Sequence, residues 1–249
     1  MRYAVASHVG LVRKVNQDRY LVKEEGSGAS VILVADGMGG HVAGEVASEL
    51  AVSTIGNALE HSPQKADYKA RLTEAVKAAN GRIYNEAAGN DLYSGMGTTI
   101  VAVLATPDAL FVAHVGDSRA YLMQQRNLLI KLTEDHSLVN ELIRRGQIHP
   151  EEAETHPQRH MLTRALGTTP EVTVECNEWP WQPQDVLLVC TDGLTTYVPE
   201  EKIAAVMAHD SELDEQVNAL LQSALAEGGH DNITMVVLAN ESVERRSRE

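Results

Sequence analysis

Six short apolar runs constrain the fold more than any other feature of this 249-residue chain: "VILVA" (31–35), "TTIVAVLA" (98–105), "ALFVAHV" (109–115), "AYLM" (120–123), "DVLLVC" (185–190) and "ITMVVLA" (233–239). They are rich in β-branched residues and bounded by Gly, Pro, Asp or Asn, which is the pattern of strands. None is long enough to span a membrane. "ATPDA" (105–109) has the composition of a hairpin turn between two of them. Between the runs lie helical periodicities. Tyr68, Leu72, Val76, Ala79 and Ile83 share one face of a segment from Gln64 to Ala88, and further helices are expected over His41–Glu60 and Glu212–Glu227, with Gly228 as a stop. Pro199 suits the first turn of a helix in "EEKIAAVM". Two long helices precede a cluster of strands, so the order is not a strict alternation. That favours an α+β class, with helices packed on largely antiparallel sheets.

With 43% apolar residues the chain can bury a sizeable core, which its 4% aromatic content leaves mainly to Val, Leu, Ile and Ala. Thirty-five acids against 21 bases argue against a nucleic-acid surface, since phosphate backbones need Lys and Arg. Cys176 and Cys190 lack metal spacing and read as reduced thiols of a cytoplasmic protein. No signal peptide or membrane span is expected. The absence of repeats and low-complexity linkers predicts one domain over 1–240, with a charged tail at 241–249. A polar stretch at about 140–169, holding His149, His156 and His160, has the character of a lid or binding loop.

The strands carry carboxylates at their ends. Asp36 follows "VILVA" in "VADGMGGHVAGE" (34–45). Asp192 follows "LLVCT", Asp117 sits in "HVGDS", Asp231 precedes "NIT", and Asp18 precedes "RYLV". One such aspartate is an ordinary turn residue. Five, if they converge, repel one another unless cations neutralise them. Asp oxygens suit hard cations such as Mg²⁺ and Mn²⁺, and glycine beside a ligand lets a carbonyl or a phosphate come close. Arg13, five residues before Asp18, has the planar fork that binds phosphate oxygens, although a solvated Arg beside Lys14 fits the spacing equally well.

The ordered set "GLVRKVNQDRY", "VADGMGGH", "GTT", "AHVGDSRAY", "LTEDHS", "TRALG", "LLVCTDGL" and "GGHDNITMVVL" closely resembles the bacterial metal-dependent protein phosphatases of type 2C, the PPM family, from about Gly10 to Leu238. The resemblance implies a four-layer α-β-β-α sandwich and two core ions, Mn²⁺ or Mg²⁺, acting on phosphoserine and phosphothreonine. Asp36 would bridge both ions and the Gly37 carbonyl would bind one. Asp192 and Asp231 would complete the other, and Asp18 would act through a water. Asp117 would join Asp192 in a weaker third site, Arg13 would bind phosphate, and 140–169 would be a flap; the polarity of that insert makes its histidines, His160 among them, candidates for contacting substrate. Two departures stand out. Gln17 occupies a position that is acidic in many eukaryotic members, and Met38 stands where they have a histidine general acid. His41 is then the nearest candidate proton donor, with a metal-bound water as its rival.

The reading is hydrolysis of phosphoproteins by a hydroxide bridging two metals, in a monomer whose natural counterpart is a bacterial Ser/Thr kinase, with neither nucleic acid nor membrane as partner. Two rivals are a binding regulator with little turnover and a hydrolase of small phosphate metabolites. Ser118, in "GDS", lacks the G-x-S-x-G elbow of a serine nucleophile. His114, Met96 and Met123 read as core. Gly97, Thr98 and Thr99 read as a strand start, and "EWPWQP", with Trp179 and Trp181, as a packed edge loop.

Overall fold

The computed structural model describes residues 1–25, 28–40, 42–62, 67–153 and 155–240. In chain order the strands are β1 (Arg2–His8), β2 (Asp18–Glu24), β3 (Ser30–Met38), β4 (Gly97–Thr98), β5 (Ile100–Ala105), β6 (Ala109–Val115), β7 (Arg119–Gln124), β8 (Leu128–Lys131), β9 (Glu175–Pro180), β10 (Val186–Cys190) and β11 (Ile233–Ala239). The helices are α1 (Ala43–His61), α2 (Tyr68–Gly89), α3 (Leu138–Arg144), α4 (Pro150–Ala153), α5 (Asp192–Thr195), α6 (Glu200–Ala208) and α7 (Leu213–Ala226). One sheet runs β1-β11-β10-β7-β8. The other runs β2-β3-β5-β6-β9, with β4 added to β3. The named strand pairs are antiparallel, as the sequence order suggested.

The apolar runs are continuous because both of their faces are buried. Along β3, Val31, Leu33 and Ala35 point to a layer shared with α1 and α2, which contribute Ala47, Ile55, Leu72, Val76 and Ile83. The alternate residues Ile32 and Val34 point the other way, against Val103 and Val112 of their own sheet and Leu122, Leu187, Val189 and Val236 of the second. The second sheet repeats the device. Tyr121, Leu188 and Val237 face α6 and α7, where Ile203, Val217 and Leu220 are buried. The result is four layers, α-β-β-α, with three apolar seams.

The expected helices form, with shifts of a few residues at their ends. Pro199 caps α6, and Gly228 stops α7 at φ +108°. Met96, Met123 and His114 are buried as expected. "EWPWQP" differs from its reading as a loop. Trp179 lies in the edge strand β9, paired with Leu110, and Trp181 is buried with its indole N–H donated to the Thr106 carbonyl at 2.7 Å. The polar insert leaves and rejoins the body through one isolated bridge, Ser137 with Leu162. After it, Leu166 pairs with Thr98, and the Gly167 N–H is donated to Asn80 Oδ1 at 2.8 Å.

Ile32 is fully buried between the sheets. Ile32→Ala should therefore cost about 2–5 kcal/mol, the transfer loss plus an unfilled cavity. Urea unfolding measures it, and a loss below about 1 kcal/mol would mean that the sheets close over the gap.

Candidate metal centre

Antiparallel pairing explains how distant aspartates meet. β2 begins where β3 ends, so Asp18 lies directly opposite Asp36 in the register. β11 begins where β10 ends, which puts Asp231, just before β11, beside Asp192, just after β10. The turn between β6 and β7 carries Asp117 to the same end. Asp36, Asp117, Asp192 and Asp231 line one cavity of about 380 Å³, together with Arg13, Gly37 and His160. Asp18 stands behind this wall, 2% exposed. Arg13 reaches in from the 9–17 loop and donates to Asp231 Oδ2 at 2.9 Å. His41 lies outside the described residues.

A layer of hydroxyls and amides fixes these carboxylates. Asp36 is gripped by its main chain. Its N–H is donated to Thr99 Oγ1 at 3.0 Å, and its carbonyl accepts from Thr98 Oγ1 at 2.8 Å and from the Thr99 N–H at 2.9 Å. Thr99 in turn bonds Ser118 Oγ at 2.7 Å, which makes Ser118 a buried support, in keeping with its rejection as a nucleophile. Across the two sheets, Thr191 Oγ1 donates to Asp18 Oδ2 at 3.0 Å, and the Thr234 N–H donates to Thr191 Oγ1. None of these threonines, nor Asn232, stood out in the sequence as part of the site. "GTT" and "CTDG" were visible, but their partners were not.

The glycines beside the aspartates let backbone carbonyls come close. A Cβ on Gly193 would lie 1.9 Å from the Asn232 carbonyl oxygen, and one on Gly37 would lie 2.0 Å from that of Gly44. The first lets the Asp192 and Asp231 turns touch, and the second lets the end of β3 touch the start of α1.

Electrostatics matches a site built for cations. Burial first, then neighbouring carboxylates, pushes the Asp36 carboxyl well above the usual range, and Asp192 rises for the same reasons. Asp18 and Asp117 are each pushed up to about 7, mainly by burial and further by Asp192. The buried Asp18 Oδ1 has no hydrogen-bond partner. Repelling carboxylates, an unsatisfied buried oxygen and an all-oxygen donor set fit a hard divalent cation better than zinc. A second cluster, His114, His136 and Glu175, brings its ligand atoms within 4.8 Å of one another. Its atoms are already engaged. His136 Nδ1 accepts the Gly116 N–H, His136 Nε2 meets Glu175 Oε1 at 3.0 Å, and the Arg164 guanidinium donates to that same oxygen at 2.9 Å. A cation there would compete with Arg164 for a single carboxylate, whereas four aspartates line the cavity.

The sandwich and its acidic end define a class. Residues 8–233 match protein phosphatase 2C, and the chain belongs to that family. It is 39% identical over 232 residues to a serine/threonine phosphatase of Listeria welshimeri, with 92% of each chain covered. Among solved structures it is similar to the Mycobacterium tuberculosis serine/threonine phosphatase PstP/Ppp, at a TM-score of 0.88 and 37% identity, over 97% of this chain and 99% of that one. It is also similar to the catalytic domain of serine/threonine protein phosphatase PstP in complex with two manganese ions, at a TM-score of 0.83 and 36% identity, over 95% and 96%.

The raised carboxyls set a pH dependence. Unfolded, Asp18 and Asp117 titrate near about 4; folded, both are pushed up to about 7. Between those values the folded chain binds more protons than the unfolded one, so stability falls as pH rises from about 4 to about 7. Protein stripped with EDTA should melt at a lower temperature at pH 8 than at pH 5, and Mn²⁺ should recover most of the difference at pH 8. A melting temperature that rises over that interval without metal would contradict the electrostatic reading.

Proposed function

We infer that this protein is a metal-dependent phosphatase of phosphoserine and phosphothreonine in proteins, and the observation that carries this is the convergence of Asp36, Asp117, Asp192 and Asp231 with Arg13 on one cavity in a chain of the 2C family. Asp36, Asp192, Asp231 and the Gly37 carbonyl are the candidates for holding two Mn²⁺ or Mg²⁺ ions, with Asp18 behind them. Asp117 with Asp192 is the candidate for a weaker third. When bound, such ions offset the carboxylate repulsion and lower the pKa of water so that it can attack phosphorus near neutral pH.

The chain's own groups do the rest. Arg13 presents a guanidinium at the cavity, where it can take two phosphate oxygens and leave the P–O ester bond open to in-line attack. Breaking that bond releases phosphate and a serine or threonine hydroxyl. The threonine grip keeps Asp36 from yielding as charge develops. His160, on the insert that rejoins the body at Leu162, faces the cavity and is the candidate for touching the peptide around the phosphate. His41 remains the candidate for protonating the departing oxygen, with water as the alternative.

On this reading residues 1–240 are one catalytic domain with a flap at about 140–169 and a charged tail at 241–249. The enzyme works as a cytoplasmic monomer, opposing a Ser/Thr kinase. The two free thiols suit a reducing compartment, and among the described residues no helix is long and apolar enough to cross a membrane.

Asp36→Asn, Asp192→Asn or Asp231→Asn should each cost several orders of magnitude in turnover with the fold intact, because ligation and charge are lost together. Asp117→Ala should lose turnover yet still bind two Mn²⁺ by calorimetry; loss of a tightly bound ion would make it a core ligand instead. His41→Ala separates the two proton donors. A serine oxygen needs a proton as it leaves and p-nitrophenolate barely does. If His41 is the acid, phosphopeptide hydrolysis should slow roughly 10²–10⁴-fold while the aryl substrate is much less affected. Equal losses on both substrates would point to water.

A further inference from the structure

Arg13 sits on a loop that has almost no core of its own. Between β1 and β2 the chain runs from Val9 to Gln17 without regular structure, and three of its four apolar residues, Leu11, Val12 and Val15, are exposed, while Val9 is half-buried. Apolar burial therefore does not set the shape of this loop. The Arg13 side chain is itself half exposed.

One side chain ties both ends of the loop. Asn232, 4% exposed, accepts the Gln17 N–H on Oδ1 at 2.8 Å, and through Nδ2 it donates to the carbonyls of Val9 and Val15, each at 2.9 Å. Both amide protons and one carbonyl lone pair are thus spent on the loop's backbone. The main chain of the same residue orients the neighbouring carboxylate, since the Asn232 N–H donates to Asp231 Oδ1 at 2.8 Å. The other oxygen of that carboxylate takes the Arg13 contact at 2.9 Å. The 229–231 backbone completes the seat. The Leu11 N–H is donated to the Gly229 carbonyl at 2.7 Å, and Gly10, at φ +81°, lies so close that a Cβ would be 2.2 Å from the Asp231 carbonyl oxygen.

We propose that Asn232 is the positioning residue for Arg13: its side-chain amide clamps the 9–17 loop onto the segment that carries Asp231, so that the guanidinium is held in register with the aspartates. The proposal rests on the reading of Arg13 as the phosphate-holding group. Asn232 borders the same cavity, but its side-chain amide is spent on the loop's backbone. Removing its amide leaves every aspartate in place and lets the loop, with no apolar anchor, carry Arg13 away. Loss of Asn232 should therefore look like loss of Arg13, and the two losses should not add. A residue that merely supported the fold would produce a different pattern, with lower stability, weaker metal binding and a penalty that multiplies whatever Arg13→Ala costs.

The test is a double-mutant cycle at saturating Mn²⁺, with p-nitrophenyl phosphate and a phosphothreonine peptide as substrates. Arg13→Ala should raise KM roughly 10–100-fold, the size of a lost charge-assisted contact, and lower kcat much less. Asn232→Ala should raise KM by a similar factor while calorimetry still counts two tightly bound Mn²⁺ ions. The double variant should be no worse than Arg13→Ala. If Asn232→Ala does not fold, Asn232→Ser, which keeps one hydroxyl donor, takes its place in the cycle, with a smaller rise in KM that vanishes in the Arg13→Ala background. An unchanged KM in the Asn232 variants, multiplicative losses in the double variant, or loss of a bound ion would each overturn the proposal while leaving the role of Arg13 intact. An unchanged KM in Arg13→Ala would remove that role, and the clamp's purpose with it.

Discussion

Mutual repulsion among buried carboxylates is the constraint on which the rest of the structure depends. Asp18, Asp36, Asp117 and Asp192 are each held where burial and neighbouring charge favour the protonated form. A chain left to itself would let such groups move apart. Here they cannot, because Asp36, Asp117 and Asp192 are attached to the ends of strands buried on both faces, and Asp18 is paired opposite Asp36 in the register. Core packing thus holds the acidic residues together, and the cations of this family give a reason to tolerate the arrangement. The sandwich is rigid where its acidic end needs it to be. Three apolar seams run through it, and alternate residues of one strand commit to two of them at once.

Neutral donors and close backbone contacts supply the remaining precision. Threonines hold Asp36 by its main chain and take neither of its carboxylate oxygens, whereas a charged support would have competed for them. Glycines at 37 and 193 let turns from different parts of the chain meet at backbone distance. Asn232 carries the same logic to the loop that bears Arg13. In each case a small uncharged group sets the position of a charged one.

The sequence revealed the centre of this architecture better than its margins. The strands read from their apolar runs are interior ones, β3, β5, β6, β7, β10 and β11, because burial on both faces writes an unbroken apolar string. The strands β1, β8 and β9 escaped notice. They are sheet edges, and their exposed and half-exposed residues break that string. The edge strand β2 was glimpsed only through "RYLV". The aspartates were legible because a strand followed by Asp is a local pattern. Thr99, Thr191 and Asn232 were not, because their meaning lies in partners far along the chain: Thr99 holds a residue 63 positions away, and Asn232 one 215 positions away. The glycines were noticed as points of close approach, but not for the backbone that approaches them. A sequence shows that a side chain is missing, and only the fold shows what occupies the space.

Cations belong at the aspartate-lined end of the sandwich and at no other of the clusters described. Anomalous diffraction at the manganese edge, from crystals grown with Mn²⁺, tests it directly. Two strong peaks are expected, bounded by Asp36, Asp192 and Asp231, and none between His114, His136 and Glu175, where Arg164 already holds the carboxylate. A peak at the histidine cluster with none among the aspartates would contradict it.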